Sequence, residues 1–321
     1  MIVNFFLKNL FILTFFIFIF WISLINPSLA IQEAKIVKRI DNKIITNIDI
    51  YREYDYLVAL NNDLKKINKN EGLKIAEESL LREKVKLNEI EKFLSIDKFN
   101  NDNLIKKIIA DFYKKLDIAN LENFKLYLNE FDISLDEVEN KIKIEILWNQ
   151  LISSKFKNQI DIDISKLEKK IQNEDLNIEN FIEYDLSEIV FQTSNKEEFD
   201  KKSKEIILSI QKDGFNISAN KFSVSSTSKF GGKIGKVKES QLSKFIKDEL
   251  KKIEIGEHTR PIKVANGFLI LLINNKEKIS KKINKEDLLD KMIEFERNKQ
   301  FEKFSQIYYN KIKLNTMINE K

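Results

Sequence analysis

Three of the seven glycines of this 321-residue chain stand together in SSTSKFGGKIGKV, residues 225–237, beside Lys233 and Lys236. Glycines let backbone amides approach an anion, and lysines add charge, so a phosphate cradle is the first chemistry to test. The spacing excludes it. Gly235-Lys236 is followed by Val237, position 230 is Phe, and Gly231, Gly232 and Gly235 do not fit the dinucleotide pattern. Glycines at such spacing mark turns and close backbone approach. Nucleophilic and metal chemistry are as poorly supplied. There is no cysteine, hence no disulfide, thiolate or Cys-ligated zinc. The single histidine, His258, follows Gly256-Glu257 as a turn residue, and no G-x-S-x-G elbow accompanies it. Carboxylates alternate with lysines along helical segments, as solvated faces do, so neither a cofactor nor a metal site is expected.

The charge balance narrows the partners. Fifty-five Lys+Arg against 50 Asp+Glu leave a net charge of +5, a small remainder of two interspersed sets. A nucleic-acid binder would cluster its cations on one face, so neither nucleic acid nor nucleotide is expected. With 43% apolar residues the chain has enough material for a sizeable core.

At the amino terminus Lys8 precedes an apolar run from Leu10 to Ile25, then Pro27 and Ser28-Leu29-Ala30. This is the grammar of a secretory signal cut after Ala30. As a helix the run reaches about 24 Å, short of the ~30 Å hydrocarbon core; residues 2–7 could extend it into a retained anchor. Either way the remainder lies outside the cytoplasm, and contact with a membrane is confined to this segment.

The elements that position the glycine stretch follow from periodicity. IVKRI, Asp41-Asn42-Lys43 and IIT read as strand, turn, strand, and Thr46-Asn47-Ile48-Asp49 as a capping box opening a helix from about Ile48 to Leu60. Residues 71–175 show helical spacing throughout, with Leu80, Leu81, Val85, Leu87 and Ile90 on one face and Ser134 as an N-cap with Glu137 three residues on. Near residue 180 the pattern changes. FIEYDLSEIVF reads as a strand, 196–213 as a helix closed by Gly214, Leu242–Ile253 as a helix ending at Gly256, and GFLILLI as a buried strand. Lys285–Ile312 returns to helix, with Leu288, Met292, Phe295, Phe301, Phe304 and Tyr308 on its apolar side, and so must dock on the amino-terminal helices.

Taken together, these stretches resemble a parvulin-type (PpiC) prolyl isomerase domain within a SurA-like periplasmic chaperone. FSVSSTSKFGGKIGKV is similar to the parvulin stretch leading into Gly-Gly-Asp-Leu-Gly. GEHTRPIKVANGFLILL resembles the family's Gly-Glu-x-Ser-x-Pro-Val and Gly-x-His-Ile-Ile ending, and LSEIVF its first strand. IVKRIDNKIITNIDI, ESLLREKVKLNEIEKF and NLENFKLYLNEFDISLDEVENKIKIEIL resemble the chaperone's helical part. The resemblance implies an α+β fold: a helical chaperone module made from both chain ends, with one inserted parvulin-like domain of four antiparallel strands plus helices. The implied divisions are 1–30 signal, 31–177 helical module with a small hairpin, 178–280 parvulin-like domain, and 281–321 a docking terminal helix.

Prolyl isomerisation must cross a barrier of ~18–20 kcal/mol without making a bond. The resemblance assigns the polar groups for this to two histidines and a nearby Cys or Asp. Here those places hold Glu188, Leu269 and Ser225. Leucine neither donates nor accepts a hydrogen bond. The family's apolar pocket falls on Leu242 and either Phe245 or Ile246. Weak or absent isomerase activity is therefore expected. The implied function is a periplasmic, ATP-independent chaperone of unfolded or nascent exported polypeptides, outer-membrane proteins among them. Its groove is expected between the amino-terminal helices and the terminal helix, lined by Trp148, Phe156, Phe304, Tyr308 and Tyr309. Two alternatives stand beside it: an active isomerase in which Glu188 and Ser225 rebuild the network, and a membrane-anchored scaffold.

Overall fold

The computed structural model describes residues 33–172, 179–264, 267–281 and 285–320; the expected signal or anchor lies outside them. β1 (Ile36–Ile40) and β2 (Lys43–Thr46) pair antiparallel about Asp41, whose φ of 50° makes the tight turn. Thr46 then opens α1 (Asn47–Leu60): its hydroxyl accepts the Asp49 amide at 3.2 Å, and the Asp49 carboxylate accepts the Thr46 amide at 2.8 Å. Four further helices follow before the first long gap, α2 (Lys69–Glu91), α3 (Asp102–Lys115), α4 (Leu121–Asn129) and α5 (Leu135–Phe156), and then α6 (Ile164–Gln172). Ser134 caps α5 with Glu137 in the same reciprocal way. Leu57, Leu80, Val85, Ile109, Phe124 and Val138 meet in one core, the apolar stripes of five helices turned inward.

The second layer begins with β3 (Glu179–Phe191), α7 (Lys196–Asp213), α8 (Phe215–Phe222) and β4 (Lys233–Lys238), and continues through α9 (Lys244–Leu250), β5 (Ile262–Val264) and β6 (Gly267–Lys281). The four strands form an antiparallel sheet in the order β4-β3-β6-β5. One face, with Ile189, Phe191 and Ile270, packs on Ile206, Phe215 and Ala219 of α7 and α8. The other, with Tyr184, Leu186, Leu271 and Ile273, packs on Leu242 and Leu250. The helix expected over Leu242–Ile253 is shorter. The Ser243 hydroxyl accepts the Ile246 amide at 3.3 Å and so starts the helix after Leu242, while Gly256 turns with φ of 87° and donates its amide to Ile273.

α10 (Lys285–Asn315) carries the chain back to the helices, and β7 (Ile318–Glu320) joins β1 to make a three-stranded sheet, β2-β1-β7. Both chain ends thus build the helical layer. Met292 packs on Leu167 and Ile171 of α6, and the next turns lie on α5. There Phe304 stacks on Phe156 at 4.9 Å and Tyr308 on Trp148 at 5.9 Å. Trp148 is fully buried and donates its indole N–H to Ser305 at 2.8 Å. Along this seam the rings of Phe156, Phe304, Tyr308 and Trp148 pack on one another, because stacked aromatics gain more from each other than from water, while Tyr309 borders open space. Phe295 is the exception on the apolar side of α10, remaining exposed.

Between the helices sits a chain of charges. Lys141 on α5 donates to Glu53 on α1 and Glu83 on α2, at 2.6 Å each, and Ser79 donates to the second Glu53 oxygen at 2.6 Å. Burial opposes both ionised forms, yet the two carboxylates hold the Lys141 pKa well above its ordinary value, and Lys141 holds Glu83 down. Removing one member of a buried ion set leaves its partners desolvated and uncompensated. Lys141→Ala is expected to cost about 3–5 kcal/mol of stability, read as a lowered urea midpoint, with Glu53→Gln in the same background recovering part of the loss.

Candidate functional site

Glu188 lies on β3 directly opposite Leu271 of β6, so both side chains leave the same face of the sheet. Its backbone amide donates to the Gly232 carbonyl at 2.8 Å. Gly232 has φ of 82°, and a Cβ there would lie 2.3 Å from the Glu188 carbonyl oxygen, which is the physical reason for a glycine at this point. Gly231 ends the 3₁₀ turn Ser226–Phe230 in the left-handed region with φ of 63°. Together they fold residues 225–230 back over β3. Gly232→Ala is expected to lower the urea midpoint by more than the same change at Gly214, where a Cβ would meet nothing within 4 Å; both positions have positive φ, so the difference isolates the contact with Glu188.

The fold-back brings the hydroxyls of Ser225 and Thr227 to one Glu188 oxygen, at 2.7 and 3.0 Å. The two hydroxyl oxygens are 3.2 Å apart. Ser223, almost fully buried, anchors the approach by accepting the Val190 amide at 3.1 Å. Burial raises the Glu188 pKa, partly offset by the two hydroxyl hydrogen bonds; Glu302 on α10 pushes the same way as burial and Lys115 on α3 opposes it. Since the folded pKa exceeds the ordinary glutamate value of 4.5, the folded state holds its proton more tightly than the unfolded one. This contribution to stability is fully present below pH 4.5 and lost as pH rises through the folded pKa. Glu188→Gln is expected to raise the urea midpoint at pH 8 and to have a vanishing effect below pH 4.5.

The remaining residues singled out by sequence fall into two groups. Leu242, Ile246 and Leu269 join the apolar cluster on the Glu188 face of the sheet, with Leu269 paired to Val190 and Ile262. Phe245, the other choice for the pocket position, points outward and is 57% exposed, so Ile246 is the residue placed inward. Trp148, Phe304 and Tyr308 belong to the separate cluster between α5 and α10. Thr259 stands at the family's serine place, buried, with its hydroxyl accepting the Leu271 amide at 3.0 Å.

The open space borders both the amino-terminal helices and the terminal helix, with Trp148 and Tyr309 among its lining residues; its wall from the 225–230 turn was not foreseen in the sequence. A cavity of about 510 Å³ lies between the 225–230 turn and the helices α2, α3, α5 and α10. Its walls include Ser225, Thr227 and Phe230 from the turn, Phe112 and Lys115 from α3, Arg82 from α2, and Glu302 and Tyr309 from α10. Phe230 meets Phe112 edge-on at 4.7 Å. Lys229 enters from the turn and shares Glu145 with Lys86, at 3.5 and 2.7 Å; burial works to raise the Glu145 pKa, but the two lysines hold it at about 2. The hydroxyl run 225–228 signalled part of this site in the sequence; most of the facing walls come from helices far from it along the chain.

A small antiparallel sheet with a glycine-turned loop over its first strand, set into a layer of helices built from both chain ends, defines a parvulin-bearing helical protein. Residues 184–275 match the rotamase family described as the PPIC-type PPIASE domain. The chain is also similar to a chaperone of the SurA type over 52% of its length. It is 22% identical to the chaperone SurA of Pseudomonas putida over 175 residues, a match covering 52% of this chain and 41% of that protein. It thus spans less than half the length of that curated relative. Among solved structures it is similar to one of two structurally related SurA-like chaperones of Campylobacter jejuni, the virulence factor PEB4 and the periplasmic protein Cj1289, at 17% identity over 89% of this chain and 98% of that one, with a TM-score of 0.34. It is likewise similar to the peptidylprolyl isomerase PrsA of Bacillus cereus, at 17% identity over 86% and 89% of the two chains, with a TM-score of 0.28.

Proposed function

We propose that this protein is an ATP-independent chaperone of unfolded exported polypeptides, outer-membrane proteins among them, in which the parvulin-type domain binds chain rather than rotating prolyl bonds. The reading places residues 1–30 as a secretory signal, the work in the periplasm, and the division of labour between a helical module (31–177 with 281–321) and the parvulin-like domain (178–280). One observation carries it. Both hydroxyl hydrogens at the Ser225 end of the site are directed to Glu188, and the opposite family position is Leu269, which neither donates nor accepts, so these family positions offer a twisted amide no free donor. Among the described residues no helix is long and apolar enough to cross a membrane.

The Glu188–Ser225–Thr227 cluster also supports the second reading, an active isomerase, because a carboxyl with a raised pKa is a form of acid or base that catalysis uses. A protease-coupled proline-peptide assay on the full chain separates the two. The expected result is a rate close to the uncatalysed one and no change on Glu188→Ala; turnover at the level of an active parvulin, lost on Glu188→Ala, would establish the isomerase instead. In parallel, a stoichiometric amount of the protein is expected to suppress aggregation of a denatured β-barrel protein, and absence of suppression would remove the chaperone reading.

A further inference from the structure

We propose that the cavity between the 225–230 turn and the helices receives acidic, extended polypeptide segments, with Arg82 and Lys115 taking the carboxylates. This rests on the chaperone reading above and names the client chemistry that this site selects. At about 510 Å³ the cavity is in the range of sites that enclose a ligand or a few residues of chain. Eight cationic side chains line it against three carboxylates. Five are already paired with carboxylates, Lys141 with Glu53 and Glu83, Lys86 and Lys229 with Glu145, Lys221 with Glu71 and Lys313 with Glu78, and Lys202 donates to the Gln192 carbonyl. Arg82 and Lys115 are different.

Among the described residues Arg82 makes one long hydrogen bond, 3.4 Å from Nη1 to the Ser223 carbonyl, and has no carboxylate within ion-pair distance. Four of its five guanidinium hydrogens are left for a ligand. Lys115 faces the Phe230 ring at 4.9 Å, a weaker partner than an anion, and its burial lowers its pKa. Two cations on different helices thus border one concave space without a carboxylate in ion-pair contact, Asp111 and Glu188 acting on Lys115 only from a distance, and a bound carboxylate gains more there than it would in water. The opposing charge is Glu302, whose carboxyl accepts from Gln306 at 3.2 Å. Burial raises its pKa, and it is one carboxylate beside two cations. The walls between them are Phe112, Phe230 and Ile142, which suit aliphatic or aromatic side chains alternating with the acids.

The test uses the full chain and fluorescein-labelled unstructured peptides of about a dozen residues, in which alternate leucines are separated by Asp and Glu, by Ser, or by Lys. Anisotropy is expected to show the acidic peptide binding at least about tenfold tighter than the lysine peptide, with the difference shrinking in high salt. Arg82→Gln and Lys115→Gln are each expected to weaken the acidic peptide about tenfold while leaving the serine peptide unchanged, and Lys115→Arg to retain binding. Equal affinities for acidic and basic peptides, acidic binding indifferent to both glutamine variants, or a short single-stranded DNA bound as tightly as the acidic peptide would overturn the proposal. Aggregation suppression by wild type alongside equal peptide affinities would remove this inference alone; acidic-peptide binding without suppression would remove the chaperone reading instead.

Discussion

The two layers of this protein are held to each other by buried charge that has to be neutralised locally. Lys229 leaves the glycine-turned loop and enters the helical layer, where Glu145 is the carboxylate that meets it, and Glu145 is fixed in turn by Lys86. A lysine buried without that carboxylate would be costly, so the loop has one favourable position against the helices. Beside the apolar meeting of Phe230 with Phe112, further polar contacts cross the boundary: Asn61 donates to Asn220, Asn216 to Asp63 at 2.8 Å, and Lys233 to the Lys115 carbonyl at 3.0 Å. An apolar seam would tolerate sliding. Directional bonds of this kind set a register, and the register is what brings Ser225, Lys115 and Glu302 around a common space.

The same loop explains why the family site has the composition it has. Its fold-back requires a backbone approach at Gly232 that leaves no room for a side chain, and the approach presses two hydroxyls onto the residue at position 188. A carboxyl there satisfies both donors through one oxygen. At the other end of the site Leu269 lies in a strand pair with apolar neighbours on both sides, Val190 and Ile262, where a polar side chain would need a partner that the sheet does not supply. Glu188 and Leu269 are each consistent with their surroundings, so the domain folds without the family's histidines. On the reading proposed above, what it forgoes is a set of donors at these positions free to follow an amide as it twists.

Local signals were readable to the residue. Thr46 with Asp49 and Ser134 with Glu137 form the reciprocal caps that their spacing implies, and Gly214 ends its helix as expected, because each depends on atoms within a turn of one another. The motif residues of the parvulin-type domain were also legible, and Glu188 and Ser225 do meet. Long-range facts were not. β7 pairs with β1 across more than 270 positions on three residues, Ile318, Asn319 and Glu320, too few to show strand periodicity, and the tie between Asp41 and Met317 that positions it has no local signature. Helix α8 was missed because eight residues are too few to show a period. The aromatic face of α10 was read correctly as sticky, but stickiness does not say whether a ring meets a client or another ring; Phe156, Trp148 and Tyr308 answer that only once α5 and α10 are side by side.

That last point moves the working surface. Had the α5–α10 seam been open, recognition would have been aromatic and indifferent to charge. With the rings stacked on each other, the accessible concavity is the one bordered by Lys115, Arg82, Phe112 and the hydroxyl-bearing loop, a mixed apolar and cationic surface. Such a surface also answers a difficulty of any chaperone, which must hold chain without trapping it. Apolar walls alone release slowly, whereas carboxylates bound to half-exposed cations in a solvent-connected cavity exchange with water and ions. On the chaperone reading proposed above, release would then need no nucleotide: a client that buried its own apolar residues would withdraw the segment from the walls and leave only contacts that salt already weakens.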